Sequence, residues 1–385
     1  MIETPQRPTS TIGATRPLSP ATLPTPRLLV DGLTVRESLA DYQQRGGYSA
    51  SSWQRSPQDI VQEITASGLR GRGGSGFPSG EKWQLVAAGP GAHVLLINGA
   101  ESEPASGKDH LLLTLRPHLV LEGALLAARA VAAGEIVCYL HADAGQVRRG
   151  VEAAWRELQA SGRRLPRFRI VTAPAAYVAG EQSAAIQRAN GKPALPTFKP
   201  PRAHERGVRG HPTLVHNVET LANVPGILRE GAVAFRSVGV PELPGTMLVT
   251  LSGQINSPGV YEVPTGVSLD WVLEHLGGGT PGGAAIQAIL PGGYFAGWLS
   301  GETLEHGVTL DAQSLHMYGV GLGSGAITVI TDSVCGLTQA VTLTQFFARE
   351  SARQCGACTF GTQAMAQALE RLAAGQPAPF DVERL

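Results

Sequence analysis

A glycine-rich loop is the first segment of this sequence with the composition of a ligand site. It runs from Gly71 to Gly80 with the letters GRGGSGFPSG, and Lys82 follows it. Residues without side chains let successive backbone N–H groups approach an anion, and the lysine adds a positive charge. The alternative is a surface loop that binds nothing.

The same loop contains the letters G-x-G-x-x-G, but its context differs from that of a dinucleotide-binding fingerprint. That fingerprint needs a strand before the loop and a helix directly after it. Here a helix is predicted before the loop, and Phe77 and Pro78 come after the glycines. We therefore reject the dinucleotide fingerprint and retain the anion cradle.

Two polar clusters follow predicted strands. The first, NGAESEP at 98–104, begins where a strand over 93–98 ends, and the second, YVAGEQ at 177–182, follows a strand that ends near Thr172. Ligands of open α/β sheets collect at the carboxyl ends of the strands. Hydrogen-bonding side chains at this edge suit a polar ring such as an isoalloxazine. As the alternative, the carboxylates are solvated loop charges.

The elements that would position these clusters alternate between helix and strand. Ser56, Pro57 and Asp59 form a capping-box start for a helix that ends at Gly68. Further helices are predicted over 119–133 and 146–160, and strands over 93–98, 135–141 and 168–172. This alternation predicts an α/β layer with a mainly parallel sheet.

The remaining segments differ from this layer in their residue patterns. Short β-rich segments beyond 241, joined by a turn at 256–259, predict a small α+β unit, and the pattern beyond 332 predicts two packed helices with Cys355 and Cys358 at their junction. Residues 1–27 are rich in proline and threonine, which predicts a disordered tail.

Composition excludes several classes of protein. Lys plus Arg and Asp plus Glu number 31 each, so no overall field would hold nucleic acid or an acidic membrane. The longest apolar stretch, 119–133, carries Glu122 and Arg129 and is shorter than the roughly 20 residues of a membrane span. Four unevenly spaced cysteines do not make a disulfide framework, and no signal pattern is present, so a cytoplasmic location is expected. Cys138 and Cys335 are expected to be core residues.

Several long motifs, in this order along the chain, resemble one family. They are GLRGRGGSGFPSGEKW (68–83), INGAESEP (97–104) with KDH (108–110), HLVLEG (118–123), AAYVAGEQSA (175–184), GHPTLVHNVETLANVPGI (210–227), SGQINSPGVYEVP (252–264), LPGG (290–293) and LGSGAI (322–327). The chain resembles the NADH-oxidising, FMN-binding flavoprotein subunit of respiratory complex I, NAD-linked hydrogenases and formate dehydrogenases.

This resemblance implies a fold and a domain order. A Rossmann-like, FMN-binding α/β domain is expected over 28–240, a ubiquitin-like β-grasp domain of the SLBB type over 241–325, and a short helical bundle of the iron–sulfur type over 326–385. The implied activity is oxidation of a nicotinamide nucleotide by the flavin, after which electrons pass to a ferredoxin-like iron–sulfur partner, alone or within a larger redox complex. Two alternatives stay open. One is a flavin-bearing subunit that receives its electrons from reduced ferredoxin, and the other is a non-catalytic scaffold.

The resemblance also implies roles for the residues of this chain that match the family's motifs. The residues implied in FMN binding are Gly71, Arg72, Gly73, Gly74, Lys82, Asn98, Glu101, Tyr177, Gly180, Glu181 and Asn217. Those implied in nucleotide binding are Phe77, Glu103, Lys199 and Arg202, and Glu103 and Glu181 are the implied catalytic pair.

The iron–sulfur segment departs from the family pattern E-S-C-G-x-C-x-x-C-x-x-G-T. Ala352 stands where the first cysteine should be, and this sequence stops at Leu385, before the family's fourth ligand. A cubane cluster needs four thiolates, and only Cys355 and Cys358 match. No [4Fe–4S] cluster is therefore expected on this chain alone. The pair is then a relic, half of a metal site completed by a partner chain, or a redox-active dithiol.

The nucleotide end also departs from the family. Leu85 and Arg202 occupy positions where the family commonly has aromatic residues near the adenine. Loss of two stacking rings predicts weak NADH affinity. Arg202 offers a partner for a 2′-phosphate, so NADPH is expected to bind equally well or better.

Overall fold

The first unit of the protein is built on a four-stranded parallel sheet. The computed structural model describes residues 27–383 and residue 385. The strands are β1 (His93–Gly99), β2 (Ala133–His141), β3 (Arg167–Ala173) and β4 (Thr213–Asn217), in the spatial order β3-β2-β1-β4. Strands β1 and β2 are buried along nearly their whole length, as expected for a sheet covered on both faces. The predicted α/β class with a parallel sheet is confirmed.

Helices surround this sheet. They are α1 (Leu39–Gln44), α2 (Ala50–Trp53), α3 (Pro57–Ser67), α4 (Ser79–Ala87), α5 (Lys108–Leu115), α6 (Pro117–Ala130), α7 (Gly145–Ala160), α8 (Gln182–Ala189), α9 (Val218–Glu230) and α10 (Ala232–Arg236), with short 3₁₀ turns at Tyr177–Gly180 and Val208–Gly210. Helix α3 starts with the predicted capping box of Ser56 and Asp59 and ends at Gly68 in the left-handed conformation. The helix predicted over 119–133 instead ends at Ala130, because Ala132 has a positive φ of 51° and β2 begins at the next residue.

Helices α6 and α9 approach each other at a glycine. A Cβ on Gly123 would lie 1.9 Å from the carbonyl oxygen of Leu221, so only glycine fits there. This close packing holds α9 against the sheet. Asn217, at the end of β4, thereby has a fixed position at the start of that helix.

The second unit contains a five-stranded mixed sheet. After the two-residue strands β5 (Gly239–Val240) and β6 (Leu243–Pro244), it comprises β7 (Thr246–Gly253), β8 (Gly259–Pro264), β9 (Ile286–Leu290), β10 (Leu299–Ser300) and β11 (Ala326–Thr331), in the order β10-β9-β11-β7-β8. Its helices are α11 (Leu269–Trp271), continued by a π turn at Val272–Leu276, and α12 (Ala312–His316), with 3₁₀ turns at Pro281–Gly283 and Gly301–His306. Since β11 pairs with both β7 and β9, it belongs to this unit and not, as predicted, to the bundle after 325.

A buried glutamate joins the second unit to the start of the described chain. Glu262 accepts hydrogen bonds from the backbone N–H groups of Arg27, Leu28 and Leu29 and from the Thr246 hydroxyl. Residue 27 is therefore part of the folded unit, and its predicted place in the tail is wrong. The rest of the predicted tail lies outside the described residues.

Two C-terminal helices follow, as predicted. They are α13 (Gly336–Arg349) and α14 (Thr362–Ala373), and a π turn at Ala357–Gly361 lies between them with Cys355 and Cys358. Cys138 is buried in β2, as expected. The same expectation for Cys335 is wrong, because that residue is exposed just before α13.

In the described part of the chain, no single helix is long and apolar enough to cross a membrane. By length and composition alone, only the bent pair of α5 and α6 meets the criterion when the two helices are taken together.

Candidate active site

A cavity of about 370 Å³ lies at the carboxyl ends of β1 and β4. Among the residues predicted from the sequence, eight line it: Gly73, Asn98, Glu101, Glu103, Tyr177, Gly180, Glu181 and Asn217. The fold therefore brings together the two polar clusters and one glycine of the loop. This volume lies within the range of about 300 to 1,000 Å³ that is typical of small-molecule sites.

Two asparagines at neighbouring strand ends form the floor of the cavity. Asn98 of β1 and Asn217 of β4 are direct partners in the parallel register. The Asn98 Nδ2 donates to the carbonyl oxygen of Gly180 at 2.8 Å, whereas its buried Oδ1 has no partner in the described chain. Asn217 caps α9 by accepting the N–H of Glu219. Parallel pairing thus places two amide groups side by side.

Lys108, a buried lysine that the sequence analysis did not select as a site residue, lies beside this floor. The Lys108 Nζ is 2.9 Å from the Asp109 Oδ1 and 2.8 Å from the Glu219 Oε2. Burial disfavours the charged ammonium, but the two carboxylates outweigh it and raise the Lys108 pKa above its ordinary value. Burial also raises the pKa of Asp109, to about 6. The KDH letters at 108–110 were the available signal, but they gave no indication of burial.

Glu101 lies at the N-terminus of α5. Its carboxylate accepts the backbone N–H groups of Asp109 (3.1 Å) and His110 (2.9 Å) and the Ser106 hydroxyl (2.5 Å). Burial alone would raise the pKa of Glu101, but the charges of His110 and Lys108, together with these hydrogen bonds, lower it. Glu101 is therefore an anion that fixes the turn between β1 and α5.

Glu103, two residues further on, has the opposite behaviour. Burial raises its pKa to about 7, although the backbone N–H groups of Tyr294 and Ala105 donate to it. Its Oε2 is buried and has no hydrogen-bond partner in the described chain. A carboxyl group with these properties can hold or release a proton near neutral pH.

The glycine loop reaches the cavity at one point. A Cβ on Gly73 would lie 3.0 Å from the Cβ of Asn217, so a side chain there would narrow the cavity. Gly74 has a φ of 110°, which L-residues rarely adopt, and neither it nor Gly71 lines the cavity. Arg72 points away: its Nη2 donates to the Pro244 carbonyl of the second unit, which gives its guanidinium a structural contact outside the cavity.

Lys82 lies behind the cavity and does not line it. Its Nζ donates to the Val215 carbonyl at 2.9 Å, and no ion pair involves it among the described residues. Burial, with the nearby charge of Lys199, lowers the Lys82 pKa to about 8. A lysine of this kind, whose neighbours are neutral or cationic, favours a bound anion. Burial and the Lys82 charge also keep the pKa of His216 well below its ordinary value.

Tyr177 and Glu181 form one wall of the cavity. The Tyr177 N–H donates to the Glu350 Oε2 at 2.7 Å, and its ring packs edge-on against Phe346 and Phe347. Glu181 caps α8 through its side chain and pairs with the Lys199 Nζ at 3.0 Å. Contacts with α13 and its C-terminal cap residue therefore support this wall.

The other residues predicted to bind the nucleotide lie outside the cavity. Phe77 is half-buried in the glycine loop, where its carbonyl accepts the Gly71 N–H. Arg202 is exposed, and its backbone N–H donates to the Glu205 carboxylate. Leu85, where an aromatic residue was missing, is also exposed. The structure therefore does not gather these residues with the cavity floor.

The second unit contributes residues that the sequence analysis did not select. Phe295, from the segment between β9 and β10, and Ser324, just before β11, both line the cavity. The LPGG and LGSGAI motifs were the signals for them. Only the packing of the two units shows that these segments reach the strand ends.

The cysteine pair does not fit a cubane cluster. Cys355 is exposed, and no group of three metal-ligating side chains is found in the part of the chain that the structure describes. The Ser351 hydroxyl donates to the Cys358 carbonyl at 2.7 Å, and the Gln354 amide donates to the Pro196 carbonyl at the cavity wall. The turn is thus held close to the cavity but offers two thiols where four are needed.

Three family models match consecutive parts of the chain. The Nuo51 FMN-binding domain matches residues 64–226, the SLBB domain residues 248–293, and the NADH-ubiquinone oxidoreductase-F iron-sulfur binding region residues 338–385. The order is the one predicted from the motifs. The third match weakens the expectation that the C-terminal region has no iron–sulfur role.

Curated relatives cover most of the chain. An F subunit of the NADH-quinone oxidoreductase of Rhizobium meliloti is 36% identical over 90% of this chain and 85% of its own length. The chain belongs to the family of NADH-quinone oxidoreductase F subunits. The F subunit of Streptomyces coelicolor is 35% identical, with coverage of 90% and 80%. The family resemblance identified from the motifs is confirmed.

Solved structures agree with this family assignment. A chain of the NAD⁺-reducing [NiFe]-hydrogenase in the air-oxidized state matches with a TM-score of 0.80 and 32% identity. The match covers 90% of the present chain but only 60% of the hydrogenase chain. The H₂-reduced state gives a TM-score of 0.81.

The cavity residues of this chain fit a flavin mononucleotide. Asn98 Oδ1, Glu103 Oε2 and Ser324 Oγ are buried without partners in the described chain, although buried polar atoms are normally satisfied. An isoalloxazine ring carries N–H and carbonyl groups complementary to them. Lys82 and the glycine loop would supply positive charge and free backbone space for a phosphate.

The raised pKa of Glu103 predicts a pH dependence of stability in the ligand-free protein. Ionised Glu103 is less favourable in the folded chain than in the unfolded chain. In the unfolded chain the Glu103 carboxyl has a pKa near its ordinary value of 4.5. Stability should therefore fall as pH rises from about 4.5 to about 7, by at most about 3 kcal/mol. Glu103→Gln removes this loss, so its melting temperature should exceed that of the wild type increasingly across this range.

Glu242→Gln changes an exposed glutamate and provides the control. Melting temperatures measured by calorimetry at half-unit pH intervals check the prediction. A Glu103→Gln curve parallel to the wild type from pH 5 to 8 would contradict it.

Proposed function

We propose that this chain is an FMN-dependent NAD(P)H oxidoreductase subunit that works in the cytoplasm. It takes a hydride from a nicotinamide nucleotide and delivers electrons to a ferredoxin-like iron–sulfur partner, within a larger redox complex. Nucleic acid and direct membrane insertion have no part in this proposal. The relatives among NADH-quinone oxidoreductase F subunits and the NAD⁺-reducing hydrogenase support it.

One observation carries the proposal: the three unpartnered buried atoms that surround the cavity. Two acceptors, Asn98 Oδ1 and Glu103 Oε2, and one hydroxyl, Ser324 Oγ, meet no partner in the described protein. Leaving such groups unpaired costs about 1 to 3 kcal/mol each. A polar planar ligand would satisfy all three.

The residues around the cavity have distinct proposed roles. FMN, when bound, accepts a hydride and releases single electrons, which is chemistry that side chains lack. Asn98, Gly180 and Asn217 orient the ring, since each is fixed by strand register or by a short hydrogen bond. Glu103 holds or gives up a proton at Oε2 near neutral pH. Glu181 stays ionised, because hydrogen bonds from Ser183 and Lys199 lower its pKa despite burial.

The glycine loop and the residues around it have proposed roles in holding the phosphate and the nucleotide. Lys82 and the loop Gly71–Gly74 are proposed to hold the phosphate of FMN, with Arg72 bracing the loop against the second unit. Phe77, Lys199 and Arg202 are proposed to contact the nicotinamide nucleotide. Lys199 and Arg202 are exposed and Phe77 is half-buried, which leaves all three at least partly accessible to a substrate that arrives from solvent.

We infer that this chain alone does not hold a [4Fe–4S] cluster. Cys355 and Cys358 are either a relic or half of a site that a partner completes, and a dithiol is the remaining alternative. Iron and acid-labile sulfide analysis after anaerobic reconstitution should give far fewer than four irons per chain. A value near four, with a matching signal in electron paramagnetic resonance, would refute this inference.

A second candidate function is that of a flavin-bearing subunit that receives its electrons from reduced ferredoxin. The exposed Leu85 and Arg202, which replace the aromatic residues common in the family, favour it because they weaken the nucleotide end. A non-catalytic scaffold is the third candidate, and flavin binding separates it from the other two.

Flavin binding tests the proposal directly. The purified protein should take up close to one FMN per chain, and Asn98→Ala should weaken binding roughly 10-fold or more, because it removes an amide that spans the Gly180 carbonyl and the cavity. Quenching of flavin fluorescence measures both values. Asn256→Ala, in an exposed turn of the second unit, is the control and should bind normally.

Absence of FMN uptake by the wild type would remove the oxidoreductase proposal in both forms. Wild-type affinity in Asn98→Ala would show that the floor of the cavity does not hold the ring.

The nucleotide preference gives a further prediction. Loss of two stacking rings should weaken NADH binding roughly 5- to 150-fold relative to the family. We therefore expect flavin reduction only at high nucleotide concentration, with NADPH equal to or better than NADH, and Arg202→Ala should remove any NADPH advantage. Anaerobic stopped-flow titration with each nucleotide measures this. Tight, NADH-selective reduction would contradict the prediction, and reduction by neither nucleotide would favour the ferredoxin-fed function.

A further inference from the structure

Phe295 is the aromatic residue through which the second unit reaches the cavity. It lies in the segment between β9 and β10, lines the cavity and leaves 53% of its surface exposed. Its Cζ lies 3.6 Å from the position of a Cβ on Gly74, so the ring is next to the glycine loop. The ring therefore forms part of the rim of the cavity.

Close glycine contacts hold the segment that carries this ring. A Cβ on Gly292 would lie 2.3 Å from the Gly321 carbonyl oxygen, and one on Gly293 would lie 2.7 Å from the carboxyl carbon of Glu103. The Tyr294 N–H also donates to Glu103. Phe295 is thus presented on backbone that is fixed against both the second unit and the cavity floor.

The neighbouring rings are already engaged, whereas that of Phe295 is not. Tyr294 packs edge-on against Phe346, and Tyr177 packs against both Phe346 and Phe347. Among the described residues, no aromatic ring pairs with Phe295. A fixed, half-exposed ring at the edge of a polar cavity offers one open face for stacking.

We propose that Phe295 stacks on a planar ring of the pyridine nucleotide and so sets the affinity for that substrate, an inference that rests on the proposed function. The unpartnered atoms of Asn98 and Glu103 are buried, which assigns the flavin to the floor. Phe295 is exposed at the rim, which assigns it to the ligand that enters and leaves. The stacking ring is either the nicotinamide or the adenine, and the probes below distinguish them.

Isothermal titration of the oxidised, FMN-loaded chain with NAD⁺, NMN⁺ and ADP-ribose tests this. Phe295→Ala should raise the dissociation constant for NAD⁺ roughly 10-fold while that for FMN stays within about 2-fold. Phe295→Trp, which retains a stacking face, should restore NAD⁺ binding to within about 3-fold. Phe380→Ala, an exposed aromatic residue outside the cavity, is the matched control.

The two shorter ligands distinguish the two possible stacked rings. Loss of NMN⁺ affinity in Phe295→Ala identifies the nicotinamide as the stacked ring, and loss of ADP-ribose affinity identifies the adenine; either supports the proposal. Unchanged NAD⁺ binding, no measurable NAD⁺ binding by the wild type, or weakened FMN binding instead would overturn it. Lack of FMN uptake by the wild type is a different failure, that of the proposed function, and titration of the flavin-free chain with NAD⁺ still tests Phe295.

Discussion

The buried charge of Lys108 is the interaction on which the cavity depends. Its Nζ pairs with Asp109 in its own helix and with Glu219 in α9, and the second oxygen of Glu219 accepts the Leu248 N–H of the second unit. One ammonium therefore connects α5, α9 and the mixed sheet. Removing one partner of a buried pair costs about 3 to 5 kcal/mol, so this arrangement tolerates little change.

The second unit completes the active site as well as supporting it. Glu262 and Glu219 both contact its sheet near the start of β7, through Thr246 and Leu248. The segments at Phe295 and Ser324 line the cavity. The ligand site is therefore shared between two units whose cores are largely separate. A change in their relative position would alter the cavity without changing any residue of the parallel sheet.

Local signals predicted some of the helices and strands, and tertiary contacts account for two of the differences. The capping box of Ser56 and the apolar strand β1 depend on neighbouring residues alone, so the sequence is sufficient for them. The position of β11 depends on pairing with strands far away in sequence, and the domain boundary was misplaced for that reason. Cys335 is exposed just before α13, which the residues around it in the sequence did not indicate.

For the site, motifs predicted the strand-end residues but not their surroundings. Asn98 and Asn217 come together because β1 and β4 pair in parallel, and the strand pattern had not predicted β4. Phe295 and Ser324 come from another unit, and Arg72 turns away to meet a carbonyl of that unit. No spacing within the sequence contains such information, since these contacts join segments far apart in sequence, 172 residues in the case of Arg72 and Pro244.

The hydrogen bond between Tyr177 and Glu350 also has an electronic consequence. From the cavity wall, the Tyr177 N–H leads to the Glu350 carboxylate, the next residue is Ser351, and its hydroxyl donates to the Cys358 carbonyl. Two hydrogen bonds and a short run of covalent bonds thus form a continuous tunnelling route from the cavity to the cysteine turn. The surface around that turn is accordingly connected to the cavity wall through bonds alone.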